Sequence, residues 1–211
     1  MDWSILVVVV GGALILAGVI VWIYHSITSK MLAPILSTME GKIPQFSENL
    51  GVTTLEGVWQ GEKVKIEVGV TRTGMPNWVF ITLSRPFPFD TLRILPRDEG
   101  GFVVLSAPQE GFLPWPTFGV KISDEELESN ATFIAPEEEK IRKFLNAARR
   151  SVVRDLFKKK FNCIEIAPES IKVGMTTYWG GLGAYKICRN IVKPESASEV
   201  LVELLDFSNE V

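Results

Sequence analysis

The hydrophobic positions of this chain keep three different periods. From Ile5 to Tyr24, in ILVVVVGGALILAGVIVWIY, they run on without a charged side chain. At ~1.5 Å of rise per residue a helix over this run is about 30 Å long, the thickness of a bilayer's hydrocarbon core, and it satisfies its own backbone groups in lipid. Trp3 stands at one end and Trp22 and Tyr24 at the other, where amphipathic rings suit the two membrane interfaces. A secretory signal peptide carries Lys or Arg ahead of a shorter apolar core and small residues at its cleavage site. Here Asp2 precedes the run, and Trp22-Ile23-Tyr24 closes it. Residues 1–26 therefore read as a single transmembrane anchor that stays on the chain, rather than as a cleaved signal or a buried core helix.

Residues 27–54 read as a connector. Met31, Leu32, Ile35, Leu36 and Met39 recur at helical spacing. They fit either a short amphipathic helix lying on the bilayer or the first helix of the next domain packing its own core. From residue 55 the period becomes two. Val64, Ile66, Val68 and Val70 alternate with Lys63, Lys65 and Glu67, the mark of a half-buried strand. Gln60-Gly61 supplies a tight turn from a preceding strand around Val58 and Trp59. Further strands are predicted at Trp78–Leu83, Leu92–Leu95 and Phe102–Leu105, so that residues 55–106 form an antiparallel meander of about five strands.

After residue 123 the pattern mixes. Asp124, Glu125 and Glu126 suit the first turn of a helix. Ala131–Ala135 is a short strand, and Pro136 with three glutamates opens a helix whose apolar face holds Ile141, Phe144 and Leu145. A second helix carries Val152, Val153, Leu156 and Phe157. FNCIEIAPESIKVGMTTY reads as a hairpin turning at APES, and Ser196–Phe207 as a core-facing helix. The order of meander, helices, hairpin and helix predicts an α+β fold. One N-terminal transmembrane helix precedes an antiparallel-sheet domain with packed helices over residues 55–211, and a doubly wound parallel fold is disfavoured.

Composition narrows the chemistry. A net charge of −3 exerts no general pull on nucleic acid, and no nucleic-acid partner is expected. The single histidine, His25, lies at the membrane end of the anchor, so Ser-His-Asp, Cys-His and His-based zinc sites are excluded from the soluble domain. His25 itself is either an interfacial polar residue or a ligand to a haem or chlorophyll-type pigment; apart from that, no cofactor or metal is implied. Cys163 and Cys188 form no CxxC and sit in apolar surroundings, as buried thiols or as one disulfide. TTYWGGLGAYK lacks both GxxxxGK[ST] and GxGxxG spacing and reads as a turn, or as a loop in close contact with another backbone. No catalytic residue stands out among the carboxylates.

Three groups of residues invite contact. Gly11, Ala13, Ala17 and Gly18 give the anchor a small-residue face on which a second helix packs closely, although Gly and Ala are common in any membrane helix. Arg142, Lys143, Arg149, Arg150, Arg154, Lys158, Lys159 and Lys160 form a basic surface. It suits anionic headgroups or an acidic partner, or it is an ordinary solvated helical face with its interleaved acids. Phe112, Trp115 and Phe118 are a possible aromatic contact loop, or a cap on the end of the sheet. Lys30 and Lys42 follow the anchor, and the positive-inside rule then places the C-terminal domain in the cytoplasm.

LEGVWQGEKVKIEV, NWVFITLSRP, DEELESNATFIAPEEEKIRKFL and FNCIEIAPESIKV together resemble a group of uncharacterised bacterial single-span proteins. Those proteins join a short apolar anchor to an α+β domain with an acidic segment before a short strand and helix, and a late hairpin. The resemblance covers roughly residues 50 to 175 and lies in hydrophobic positions and turns. It implies membrane attachment and the α+β fold; no activity and no catalytic residue come with it. The expectation is a non-enzymatic, single-pass accessory or assembly subunit of a larger membrane complex, of respiratory or photosynthetic type. Its partners are then membrane lipid and other membrane-protein subunits. The alternatives are a membrane-anchored enzyme using carboxylates and a lipid- or ligand-binding module.

Overall fold

In a computed structural model of the chain, the residues described are 3–41, 45–46, 52–70, 76–88, 90–96, 119–176 and 182–209. The apolar run forms a helix, α1 (Trp3–Leu32), that does not stop where the run stops. It continues unbroken through His25-Ser26-Ile27-Thr28 to Leu32 and passes into a 3-10 turn over Ala33–Ser37, with Pro34 in its first turn. Among the described residues it is the one helix long and apolar enough to cross a membrane, and none of its apolar window is buried.

The fold class is as the sequence predicts: α+β, an antiparallel sheet with helices and an apolar N-terminal helix. Seven longer strands make up most of the sheet: β3 (Val52–Trp59), β4 (Glu62–Val70), β5 (Pro76–Ser84), β6 (Leu92–Pro96), β7 (Ala131–Ile134), β8 (Cys163–Ala167) and β9 (Ser170–Thr176). Two-residue strands β1 (Glu40–Gly41) and β2 (Gln45–Phe46) pair with the two ends of β3. The order across the sheet is β1-β3-β4-β5-β9-β8-β6-β7. The helices that follow are α2 (Glu125–Asn130), α3 (Glu138–Phe144), α4 (Ala147–Lys158), α5 (Leu182–Ile191) and α6 (Pro194–Asn209).

The alternation read from the sequence sets the two faces. Leu55, Ile66, Ile81, Val173 and Ile164 sit in register on one face. They join residues of α4, α5 and α6 in a single core. Gln60 (φ 51) and Gly61 (φ 85) make the predicted tight turn between β3 and β4, both in the left-handed region that a two-residue hairpin demands.

The predicted five-strand meander is corrected. β3, β4 and β5 do follow one another, but β6 does not pair with β5. The late hairpin β8–β9 takes that place, so β6 lies beyond it, between β8 and β7. Pro86 and Pro88 follow β5 and cannot donate to a ladder, so the chain leaves the sheet there and re-enters elsewhere. Phe102–Leu105 lies outside the described residues.

The other face of the sheet carries a small second cluster of Phe80, Leu95 and Cys163, with Trp78 and Ile134 against it. Two glycines make room for its rings. Gly69 pairs with Trp78 and Gly174 with Phe80, and a Cβ on Gly174 would lie 2.0 Å from Phe80 Cε1. Each ring covers the bare backbone of its cross-strand neighbour, and Lys172 Nζ sits 4.2 Å from the Phe80 ring centre.

Packing of α1 defines the ends of the molecule. The Thr28 hydroxyl is hydrogen-bonded, in a buried setting, to the Thr53 hydroxyl at the start of β3, and it also donates to Tyr24 O at 2.9 Å. Met31, Leu32, Ile35 and Met39 are all in the core, so the apolar side of this stretch packs on its own domain. The start of β3 is thus the near end of the sheet, toward the apolar span. The same end holds the last residues of β4 and β9 and the first of β5 and β8. The turn between β8 and β9 marks the far end.

Gly174→Ala is expected to lower stability by about 1–3 kcal/mol, because the added methyl drives the Phe80 ring off the sheet. Urea unfolding of the full chain in mild detergent measures it.

Candidate functional site

The basic run is built by α3 and α4, and local capping sets where they start and stop. Asn146 caps α4, its side chain accepting from Arg149 N at 2.9 Å. At the other end Lys160 N donates to Phe157 O and Phe161 N to Leu156 O, the paired bonds of a Schellman close. Lys160 (φ 73) occupies the left-handed position of that close, where glycine is usual.

Most of the basic side chains face inward or are paired. Arg149, a candidate for the basic surface, is only 6 % exposed. Its Nε donates to Phe207 O at 2.8 Å and its Nη1 to Phe144 O at 2.9 Å, and its guanidinium lies 4.0 Å from the Phe144 ring centre. Arg150 reaches Leu145 O at 2.7 Å and Ile122 O at 2.6 Å, stitching α4 to the strand-like segment before α2. Arg154 Nη2 meets Asp124 Oδ2 at 2.6 Å. Lys159 bridges Glu203 and Glu199 on α6 at 2.7 and 3.3 Å. Arg142 pairs with Glu138 at 2.6 Å and Lys158 with Asp155 at 2.9 Å, both exposed, where such pairs contribute little. Lys143 and Lys160 are exposed. Much of what reads as a charged face in sequence is internal bracing.

Asp124 is the hub of that bracing. It caps α2, accepting from Leu127 N at 3.0 Å. Burial pushes its carboxyl up, but the Leu127 amide, Arg154 and Arg150 outweigh burial and hold it below its ordinary 3.8. Glu128 behaves alike. Burial is opposed by the Ile122 and Ser123 amides and by Lys121, and the carboxyl lies below its ordinary 4.5. Both are fixed anions, unlike a general acid or base tuned toward neutrality.

Two open grooves occur beside these elements. One, of about 550 Å³, lies between α2 and the end of α4 and is lined by Glu126, Asn130, Arg154, Lys158, Lys160 and Asn162, among others. The other, of about 720 Å³, lies on the ring-bearing side of the sheet at the far end, with Glu56, Lys63, Lys65 and Glu169 on its walls. The cysteines are free and buried, and burial pushes the thiols up, Cys163 to about 11 and Cys188 to about 12. They are protonated and inert as nucleophiles at neutral pH.

On α1, Ala13, Ala17 and Gly18 are exposed, and a Cβ added at Gly11 or Gly18 meets nothing within 4 Å. The small-residue face is thus open along the helix. His25 is half-buried with its Nδ1 3.2 Å from Ser29 Oγ. Phe112, Trp115 and Phe118 lie outside the described residues. One element was missed in sequence. TTYWGGLGAYK reads as a turn or a close-packed loop, yet α5 begins within it, at Leu182. Its signal is there, since Ala184, Cys188 and Ile191 recur at helical spacing and are buried, but the three glycines before them mask it.

Arg149→Ala is expected to destabilise the protein by about 2–3 kcal/mol by removing its bonds to the Phe207 and Phe144 carbonyls and its packing on the Phe144 ring, whereas Lys143→Ala stays within about 0.5 kcal/mol. Urea unfolding of both variants measures the contrast. Asp124 is lower in the folded state, so its contribution is full above its ordinary 3.8 and is lost as pH falls further, through the lowered value. The stability gap between wild type and Asp124→Asn should therefore be constant near neutrality and shrink below that point, which a pH series of unfolding curves reads directly.

No protein-family model matches the chain, and no curated protein matches it in sequence. Among solved structures, it is similar to the crystal structure of the mycobacterial trehalose monomycolate transport factor A, TtfA, at 11 % identity and a TM-score of 0.43, over 82 % of this chain and 96 % of that one. A likeness of that size carries no statement about function.

Proposed function

We propose that α1 crosses a bilayer once and that the α+β domain, on the cytoplasmic side, serves as a non-enzymatic accessory or assembly subunit of a larger membrane complex. The observation that carries this reading is the split character of α1. Its apolar surface is bare from Val7 to Ile23, while its last turns, from Ile27 to Leu32, are part of the domain core. A bare apolar helix of this length needs lipid or another helix around it. The open face at Gly11, Ala13, Ala17 and Gly18 suits close packing of a partner helix. Lys30, on the domain side of the span, supports the cytoplasmic placement.

The test is extraction from native membranes in mild detergent. A defined membrane-protein partner should co-purify with the wild type and be lost from Ala13→Leu/Ala17→Leu. These positions lie outside the core, so the domain's own unfolding curve should not change. A wild-type chain that emerges as a clean monomer would count against an accessory role.

A further inference from the structure

α5 is the element that the functional reading leaves without a task, and the topology puts it at the near end of the domain. Upstream of it, β9 ends at Thr176, paired with Trp78 at the near end. Downstream, α6 also starts there. Lys159, in the turn that leads into β8, holds Glu199 in the first half of α6 and Glu203 just past its middle. The end of α6 is at the far end. The Phe207 ring packs edge-on against Phe144 and Phe144 against Phe87, whose N–H donates to Pro168 O in the β8–β9 turn. Both neighbours of α5 in the chain are therefore fixed at the near end, and α5 closes the core there with Ala184, Cys188 and Ile191 turned inward.

Its other side is exposed. Leu182, 66 % accessible, shares that side with Lys186 and Arg189, while Ile187, 36 % accessible, lies on the flank next to the buried face. From Leu182 to Lys193 the chain has no acidic residue; Glu195 is the first. An exposed leucine set among cations, with no acid near it, suits the surface of an anionic membrane.

The distance to the bilayer is short. Tyr24 closes the apolar run and Thr28 is already fixed to β3. Four helical residues advance about 6 Å, and the headgroup layer on each side of a bilayer is roughly 5–8 Å deep. α1 is continuous across this stretch, so the near end of the sheet sits at headgroup level.

We propose that α5 rests on the leaflet that α1 enters, with Leu182 at the headgroup–acyl boundary and Lys186 and Arg189 against the phosphates of anionic lipids. The inference relies on α1 spanning the membrane, and its test separates the two. Single cysteines are introduced at Leu14, Leu182 and Val58 in the full chain, labelled with a fluorophore at neutral pH, and reconstituted in phosphatidylcholine–phosphatidylglycerol vesicles. Cys163 and Cys188 are buried and protonated and stay unlabelled. Val58 is exposed near the far end of β3 and serves as the reference.

A nitroxide lipid labelled at the headgroup should quench the Leu182 probe several-fold more than the Val58 probe. One labelled deep in the acyl chain should quench the Leu14 probe. Equal quenching at Leu182 and Val58, with Leu14 quenched, overturns the α5 proposal alone and points to water or a protein covering α5. An unquenched Leu14 probe overturns the spanning reading itself. Lys186→Glu/Arg189→Glu should reduce Leu182 quenching to the level seen in pure phosphatidylcholine; no change would overturn the part of the proposal that invokes anionic lipid.

Discussion

One helix belongs to two solvents. The first turns of α1 present bare Val, Leu and Ile, and its last two turns give Ile27, Met31 and Leu32 to the core of the sheet domain. From Val19 to Leu32 there is no glycine, no proline and no break in the helix. The buried hydroxyl pair of Thr28 and Thr53 sits at the joint. It places polar groups where an all-apolar contact could slide, and it fixes α1 to the first residues of β3. The orientation of the sheet, the naming of its ends and the position of α5 all follow from that joint.

The second organising feature is the use of arginine as a brace. Arg149 and Arg150 between them bind the carbonyls of Phe207, Phe144, Leu145 and Ile122. These are acceptors that helix ends and an irregular segment leave over, and a guanidinium offers several donors in a rigid fork. Among the described residues one sheet and the helices share a single core, and these bonds tie the helices to one another. Arg154 on Asp124 does the same between α4 and α2.

The legible part of the fold was the part with a local period. Alternation from Val64 to Val70, the Gln60-Gly61 turn, the APES turn and the acidic starts of α2 and α3 are written in neighbouring residues. So is the apolar span. Strand order is not local. Nothing near Leu92 says that β8 and β9 will insert between it and β5, because that choice is made by residues some seventy positions later. α5 was hidden for a different reason. Its helical spacing is sound, but Gly180, Gly181 and Gly183 crowd its start. The reading of the basic run failed on Arg149 through the same blindness. A side chain's charge is visible in sequence, while the carbonyl it will meet fifty-eight residues later is not.

On the proposed reading, in which α1 spans a bilayer, its unbroken course also makes the protein a lever. A single span tilts by about 20° as a matter of course, to suit bilayer thickness or a neighbour. With no hinge at residues 25–32, the domain must tilt with it. Its far end, one strand length of eight residues or so beyond the near end, then sweeps sideways on the order of 10 Å. On that reading a small rearrangement among helices in the membrane would reach the β8–β9 turn enlarged.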